Sequence, residues 1–247
     1  MTTTITDGNG TTHFFEVKRK RDAKETIGNA MVFVPLAVSA ADMVPMLVYY
    51  HGHNGQNSIE SYVKSIPQRD FRPLLKSKQV VLVEPWGGTK STFGQLGTSA
   101  GLTAMMEQAM HLALYAGPRP RPAPIMERPT PQPWSLILAG FSGGGDTLRA
   151  VVIGSKADYI RRLKQVWCFD CMYSGEGSAW TRWAQESANQ LKVVCVRVTA
   201  KGHGEATGKP RLQDEIMKKT RLANTDFEEP VEIGHEDLPG ARIPDWL

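Results

Sequence analysis

The sequence predicts an α/β fold built on a mostly parallel sheet, and two observations lead to this prediction. Apolar extended segments alternate with segments of helical periodicity along most of the chain. A glycine-rich turn at residues 140–144 (GFSGG) joins one extended segment directly to a helical one. We therefore expect a single domain over residues 13–247, preceded by a flexible, Thr- and Gly-rich tail over residues 1–12.

Length and composition exclude several classes of protein. The chain has 247 residues, of which 41% are hydrophobic and 22% charged, so it is neither disordered nor collagen-like. The net charge of +4 is mild, and the basic stretches 18–21 and 119–128 lack interleaved aromatic residues, so no nucleic-acid partner is expected. No signal peptide or membrane-spanning run is visible, which predicts a soluble, cytoplasmic protein without a membrane partner; release by lysis is the alternative.

The first extended segments follow one another without a helix between them. They are residues 13–18, 30–38 and 45–50. The pattern then changes, because Ile59, Tyr62, Val63 and Ile66 recur on one helical face and the apolar strand 79–84 (QVVLVE) follows.

The second half alternates more regularly. A helix is predicted around residues 102–109. The next segment, 117–134, contains seven prolines and is predicted to be a surface loop on the rim at the amino ends of the strands. A strand at 135–141 comes next. The remaining predicted strands are 165–170, 192–199 and 231–234, and the remaining predicted helices are 146–154, 179–190 and 212–222.

The three cysteines do not indicate a disulfide framework or a metal site. Cys168, Cys171 and Cys195 are an odd, sparse set that suggests a reducing compartment. The first two have CxxC spacing but no second ligand pair accompanies them, so we interpret them as buried thiols. No metal and no cofactor is expected.

Ser142 is the candidate nucleophile. It occupies the centre of a GxSxG motif between the strand SLILAG and a helical pattern. A sharp strand-to-helix turn projects the hydroxyl from the sheet edge and points helix N-terminal N–H groups at the site where negative charge develops. A structural glycine-rich turn is the alternative interpretation.

A serine hydroxyl is a weak nucleophile, so this hypothesis requires a histidine base. His235 follows the last strand candidate, and His203 lies on the loop after the preceding strand. Both loops leave carboxyl ends of strands and so reach the same rim of a parallel sheet. We favour His235 and place His203 in the pocket lining.

An orienting carboxylate is also required. Asp170 ends the apolar strand QVWCFD, where an unpaired charge would be costly to bury. Glu205 and Asp226 are later alternatives. With Asp170, the three groups occur in the order Ser, Asp, His, which is the order that this architecture imposes.

These residues resemble the α/β-hydrolase superfamily over most of the chain. The HG dipeptide after the strand PMLVYY, the GxSxG turn and a late histidine carry the resemblance, and HGHNG, GFSGGG and FDCMYSGEGSAWTRWA are similar to a group of serine hydrolases with HGHN and GHSGGG signatures. The resemblance implies a mostly parallel sheet of about eight strands flanked by helices, without a large cap domain. It also implies Ser142, Asp170 and His235 as the catalytic triad.

The same resemblance places an oxyanion hole between two loops. The backbone N–H of Gly143 is expected to be one donor, and the N–H of His53 or Asn54 the other. His51 and His53 also permit a zinc alternative, but no third ligand lies nearby in the sequence.

The loops at the carboxyl ends of the strands are rich in aromatic residues, which favours an acyl or aryl group in the substrate. The predicted substrate-binding residues are Trp86, Phe141, Tyr173, Trp180 and His203. Phe141 stands where the similar group more often has histidine. Packing of Trp180 between its helix and the sheet is the alternative for that residue.

Together these features predict a serine hydrolase that cleaves small-molecule or polymeric carboxylic esters through an acyl-enzyme intermediate. Peptidase or amidase action by the same triad is one alternative. A non-catalytic binding protein of the same fold is the other.

Overall fold

The computed structural model describes residues 2–20, 24–38, 45–65, 69–115, 135–172, 177–186, 190–194, 225–228, 231 and 233–247. The described strands are β1 (Thr2–Thr6), β2 (Gly10–Lys18), β3 (Thr26–Pro35), β4 (Met46–Tyr50), β5 (Val81–Pro85), β6 (Leu136–Phe141), β7 (Leu163–Phe169), β8 (Gln190–Val194) and β9 (Thr225–Phe227). The described helices are α1 (Ile59–Ser65), α2 (Arg72–Leu75), α3 (Ser99–Tyr115), α4 (Gly145–Val152), α5 (Gly177–Glu186) and α6 (Leu238–Trp246).

The nine described strands form one sheet in the order β1-β2-β3-β5-β4-β6-β7-β8-β9. Strands β1, β2 and β3 pair antiparallel, and β3 also pairs antiparallel with β5. Every neighbouring pair from β5 across to β9 is parallel. The predicted α/β fold with a mostly parallel sheet is therefore confirmed, with nine described strands rather than about eight.

The predicted flexible tail over residues 1–12 is wrong in most of its length. Thr2–Thr6 forms β1 and pairs in register with β2, so that Thr4 lies opposite His13. The Thr4 hydroxyl is 2.9 Å from Nδ1 of His13. Threonine is β-branched and suits a solvent-facing edge strand, a property that outweighs the polar composition of this segment.

The prediction of a strand at 231–234 is also wrong for its described residues. These have only an isolated bridge at Val231, and the last described strand is β9, a few residues earlier. The sequence places Pro230 directly before the segment, and proline cannot donate to a strand ladder. The proline-rich loop 117–134, the helix 212–222 and the end of the strand 192–199 lie outside the described residues.

Side chains alternate between the two faces of the sheet. The α3 face is the buried cluster that includes Val48, Val83, Leu102, Leu138 and Leu148, and it packs against α3, α4 and α5. The α1 face is the cluster that includes Leu47, Tyr62, Leu75, Leu82 and Trp167, and it packs against α1, α2 and α6. None of the described helices has both the length and the apolar character needed to cross a bilayer.

Candidate active site

Ser142 lies at the end of β6, where the chain enters a short 3₁₀ turn that continues into α4. Its φ of 47° is in the left-handed region, which is unfavourable for any residue with a Cβ. The loop after β4 packs directly on this turn, because a Cβ on Gly52 would lie 2.8 Å from Cβ of Ser142. The predicted strand-turn-helix setting of the GxSxG motif is confirmed.

Asp170 occupies the equivalent position on the neighbouring strand. In the parallel pairing of β6 with β7, Phe141 lies opposite Phe169. Ser142 and Asp170 therefore each follow the last residue of their strand, side by side on strands about 5 Å apart. Asp170 also has a left-handed backbone, with φ of 46°, and its side chain is 2% exposed. Two adjacent strand ends thus carry the same unusual conformation.

His235 reaches these strand ends from the 3₁₀ turn that precedes α6. Its Nδ1 is 2.6 Å from Oδ2 of Asp170, and its ring centroid is 4.5 Å from that of Phe141. The carboxylate accepts the Nδ1–H, so a neutral imidazole in this position has its basic lone pair on Nε2. The structure thus brings His235 and Asp170 together beside the residue that precedes Ser142.

The two predicted oxyanion loops also meet. A Cβ on Gly143 would lie 2.8 Å from Cδ2 and 2.9 Å from Nε2 of His53, so the imidazole of His53 covers Gly143. The N–H of Asn54, by contrast, donates to the carbonyl oxygen of Thr89 at 3.0 Å. The structure therefore contradicts the prediction of Asn54 as an oxyanion donor, since that N–H is already bound to the loop after β5.

His51 has a structural role instead of a metal-binding one. Its Nδ1–H donates to the carbonyl of Gly52 at 2.8 Å, and its Nε2 accepts the N–H of Gly87 at 3.0 Å. Burial lowers the pKa of His51 from 6.5 to about 4. Both ring nitrogens are thus bound to backbone groups, and no cluster of His, Cys, Asp or Glu suited to a metal ion occurs in the described part of the chain.

Two of the predicted substrate contacts are buried away from solvent. Phe141 is 1% exposed and lies beneath the His235 ring, and Trp180 is 1% exposed within the α3 face. Both predictions are wrong, because an aromatic residue type does not distinguish a pocket wall from a core position. Trp86 is partly exposed at the end of β5, with its ring 5.0 Å from that of His51.

The remaining predicted pocket residues, Tyr173 and His203, lie outside the described residues, as does the alternative acid Glu205. The alternative Asp226 belongs to β9 and is exposed.

A separate cleft of about 630 Å³ lies beside α3 and the start of β7. It is lined by Thr103, Met106, Glu107, Asp158, Tyr159, Arg161, Arg162 and Lys164. Asp170 follows the opposite end of β7, so this cleft is about 20 Å from the candidate site by strand length.

Sequence reasoning missed three polar residues, the first two of which lie beside the candidate site. Ser91 has φ of 53° and lies against Gly143, Arg69 pairs with Glu236 next to His235, and Glu84 is fully buried at the end of β5. The available signal for Glu84 was a carboxylate at the end of the apolar run QVVLVE, the same signal that identified Asp170.

Comparisons with known proteins agree with this architecture. No protein-family model matches the chain, and no curated protein matches it. Among solved structures, an S-formylglutathione hydrolase from Agrobacterium tumefaciens superposes with a TM-score of 0.54 at 10% identity, covering 99% of this chain and 96% of that one.

Two further structures are similar. A mutant feruloyl esterase module from Clostridium thermocellum, complexed with sinapinate, has a TM-score of 0.50 at 14% identity, with 99% and 85% coverage. Esterase 2 from Thermogutta terrifontis, phosphonylated by sarin, has a TM-score of 0.51 at 12% identity, with 94% and 91% coverage. At these identities the likeness shows the fold alone. With its strand order, its strand-turn-helix at Ser142 and these matches, the chain has the α/β-hydrolase fold.

Proposed function

We propose that this protein is a serine hydrolase that cleaves carboxylic esters, with Ser142 as nucleophile, His235 as general base and Asp170 as the residue that orients the base. One observation carries the proposal. The 2.6 Å hydrogen bond between His235 and Asp170 lies at the strand ends where Ser142 and Asp170 both have left-handed backbones. Strain of this kind clusters at functional sites.

The mechanism follows from the roles of these groups. Nε2 of His235 takes the proton of the Ser142 hydroxyl as its oxygen attacks the ester carbonyl. The Asp170 carboxylate, which accepts the Nδ1–H, stabilises the resulting imidazolium. The imidazolium then protonates the leaving alcohol, and an activated water hydrolyses the acyl-serine.

Backbone N–H groups stabilise the negative charge that develops on the carbonyl oxygen. Gly143 follows the nucleophile at the start of the turn into α4, and His53 lies across from it on the loop after β4. With Asn54 bound to Thr89, we assign the two donors to the N–H groups of Gly143 and His53.

An ester is the preferred substrate class for two reasons. The structurally similar proteins named above are an S-formylglutathione hydrolase and two esterases. Trp86 places a partly exposed indole at the same sheet edge, where it would contact an apolar acyl or aryl group of a small or polymeric ester.

The test is intact-mass spectrometry after treatment with a fluorophosphonate, which labels activated serines. We expect one adduct on the wild type and none on Ser142→Ala or His235→Ala. Ser91→Gly is the matched control, because Ser91 is another serine with a left-handed backbone but has no role in the proposed triad; this variant should still take one adduct. Turnover of p-nitrophenyl esters would then rank acyl groups. A folded wild type that forms no adduct would contradict the proposal.

A further inference from the structure

An ion pair ties the residue after the candidate base to a buried arginine. Nε of Arg69 donates to Oε2 of Glu236 at 3.1 Å, and Nη2 of Arg69 donates to the same oxygen. The Arg69 side chain is 8% exposed, whereas that of Glu236 is 51% exposed. Because Glu236 follows His235 directly, this pair restrains the short turn that carries the base.

Arg69 also contacts Tyr62 of α1, which packs against the loop after β4. Its guanidinium carbon lies 5.3 Å from the centroid of the Tyr62 ring, a cation–π geometry. The Tyr62 ring in turn lies 4.9 Å from the ring of His51. His51 binds the backbone of Gly52 and Gly87, and Gly52 packs on Ser142. A continuous set of contacts thus joins the turn that carries His235 to the turn that carries Ser142.

The burial of Arg69 is costly for the fold. Its Nη1 is buried and has no hydrogen-bond partner among the described residues. Only the Arg69 side of the pair is buried. Replacing buried charges by well-packed apolar residues is often neutral or stabilising, so this burial is weak evidence for a stability role. A role in fixing geometry accounts better for a buried guanidinium at this position.

We infer that Arg69 is a positioning residue, which holds Glu236 and thereby keeps His235 aligned between Asp170 and Ser142. The inference rests on the proposed function of the triad. His235 enters the site from a three-residue 3₁₀ turn, not from a strand, so the turn has few backbone bonds of its own. Displacement of a catalytic group by about 1 Å can cost about 100-fold in rate.

The test compares Arg69→Met, Glu236→Gln and the double variant, with kcat expressed per fluorophosphonate-labelled serine so that unfolded protein does not count. We expect kcat to fall by up to about 100-fold in each single variant with little change in KM, and the double variant to be no worse than the single ones. Arg242→Met is the matched control, because it breaks another arginine–glutamate pair, with Glu228, that does not include a residue of the 235–237 turn.

A second readout follows the base directly. The proton shared by His235 and Asp170 should give a low-field proton NMR resonance in the wild type and in Arg242→Met, and this resonance should broaden or disappear in Arg69→Met and Glu236→Gln. If Arg69→Met does not fold, Glu236→Gln decides, since its side chain is half exposed.

The outcomes separate the two claims. Values of kcat within about twofold of wild type in both single variants, with the resonance unchanged, would overturn the positioning role and leave the triad intact. Losses that multiply in the double variant would also overturn it, because the two residues would then act independently. A wild type that takes no fluorophosphonate would overturn the proposed function, and the resonance would still report whether Arg69 positions His235.

Discussion

The two faces of the sheet are built differently. The α3 face packs helices α3 to α5 mainly through aliphatic side chains and methionines. On the α1 face, strand alternation places Glu84 beside Leu82, and burial raises the pKa of Glu84 well above 4.5. Burial likewise raises the pKa of Tyr62, and the Glu84 carboxyl raises it further.

The contrast shows where this fold tolerates polar groups in its interior. Buried polar groups cost free energy unless they are well paired. On the α1 face, Arg69 and His51 contact the loops that carry His235 and Gly52. The α3 face therefore supplies burial, and the α1 face fixes the loops of the candidate site.

Truncation on the α3 face should have the largest effect on stability. Leu102 of α3 is fully buried, so Leu102→Ala should lower the free energy of unfolding by about 2–5 kcal/mol. Urea unfolding measures the loss. If this face only supplies burial, kcat per labelled serine should stay at the wild-type value; a large fall would erase the distinction between the faces.

His51, the buried histidine on the α1 face, should make the free energy of unfolding depend on pH. The pKa of His51 is about 4 in the folded protein, against 6.5 for an ordinary histidine. Between these pH values the unfolded state therefore binds a proton that the folded state does not. The free energy of unfolding should therefore fall by about 3 kcal/mol as pH drops from 6.5 to 4.

Urea midpoints of the wild type and His51→Gln across this range check the prediction. The variant should lose most of the slope. An equal slope in both proteins would show that His51 is not the group responsible.

Near pH 5, substitution of Glu84 should give the smallest effect of the three, and its dependence on pH should be opposite to that of His51. Because burial raises the pKa of Glu84, the folded protein keeps a proton that the unfolded chain loses as pH rises above 4.5. This contribution to stability is present at low pH and declines as pH increases. Glu84→Gln resembles the protonated carboxyl, so we expect almost no change near pH 5 and a gain near pH 8.

Urea unfolding of the wild type and of Glu84→Gln at pH 5 and pH 8 would measure this difference in the free energy of unfolding. A strong loss in Glu84→Gln at the lower pH would instead indicate an ionised Glu84 with a specific partner.

Ser142 and Asp170 are the candidate site residues that have local signals in the sequence. Ser142 has a motif with a strand on one side and a helix on the other, and Asp170 ends an apolar run. The ion pair of Arg69 with Glu236 has no such signal, because its partners are 167 residues apart. Trp180 and Phe141 were misplaced because their residue type suits a core as well as a pocket.

The matched left-handed backbones of Ser142 and Asp170 have a consequence for protein engineering. Glycine would relieve about 1–2 kcal/mol at each position, since it adopts positive φ without a steric cost. Selection for stability alone would therefore favour glycine at the two positions where the proposed chemistry needs a side chain. The resulting protein would be inactive. A screen for thermostable variants of this protein needs an activity filter at the same time.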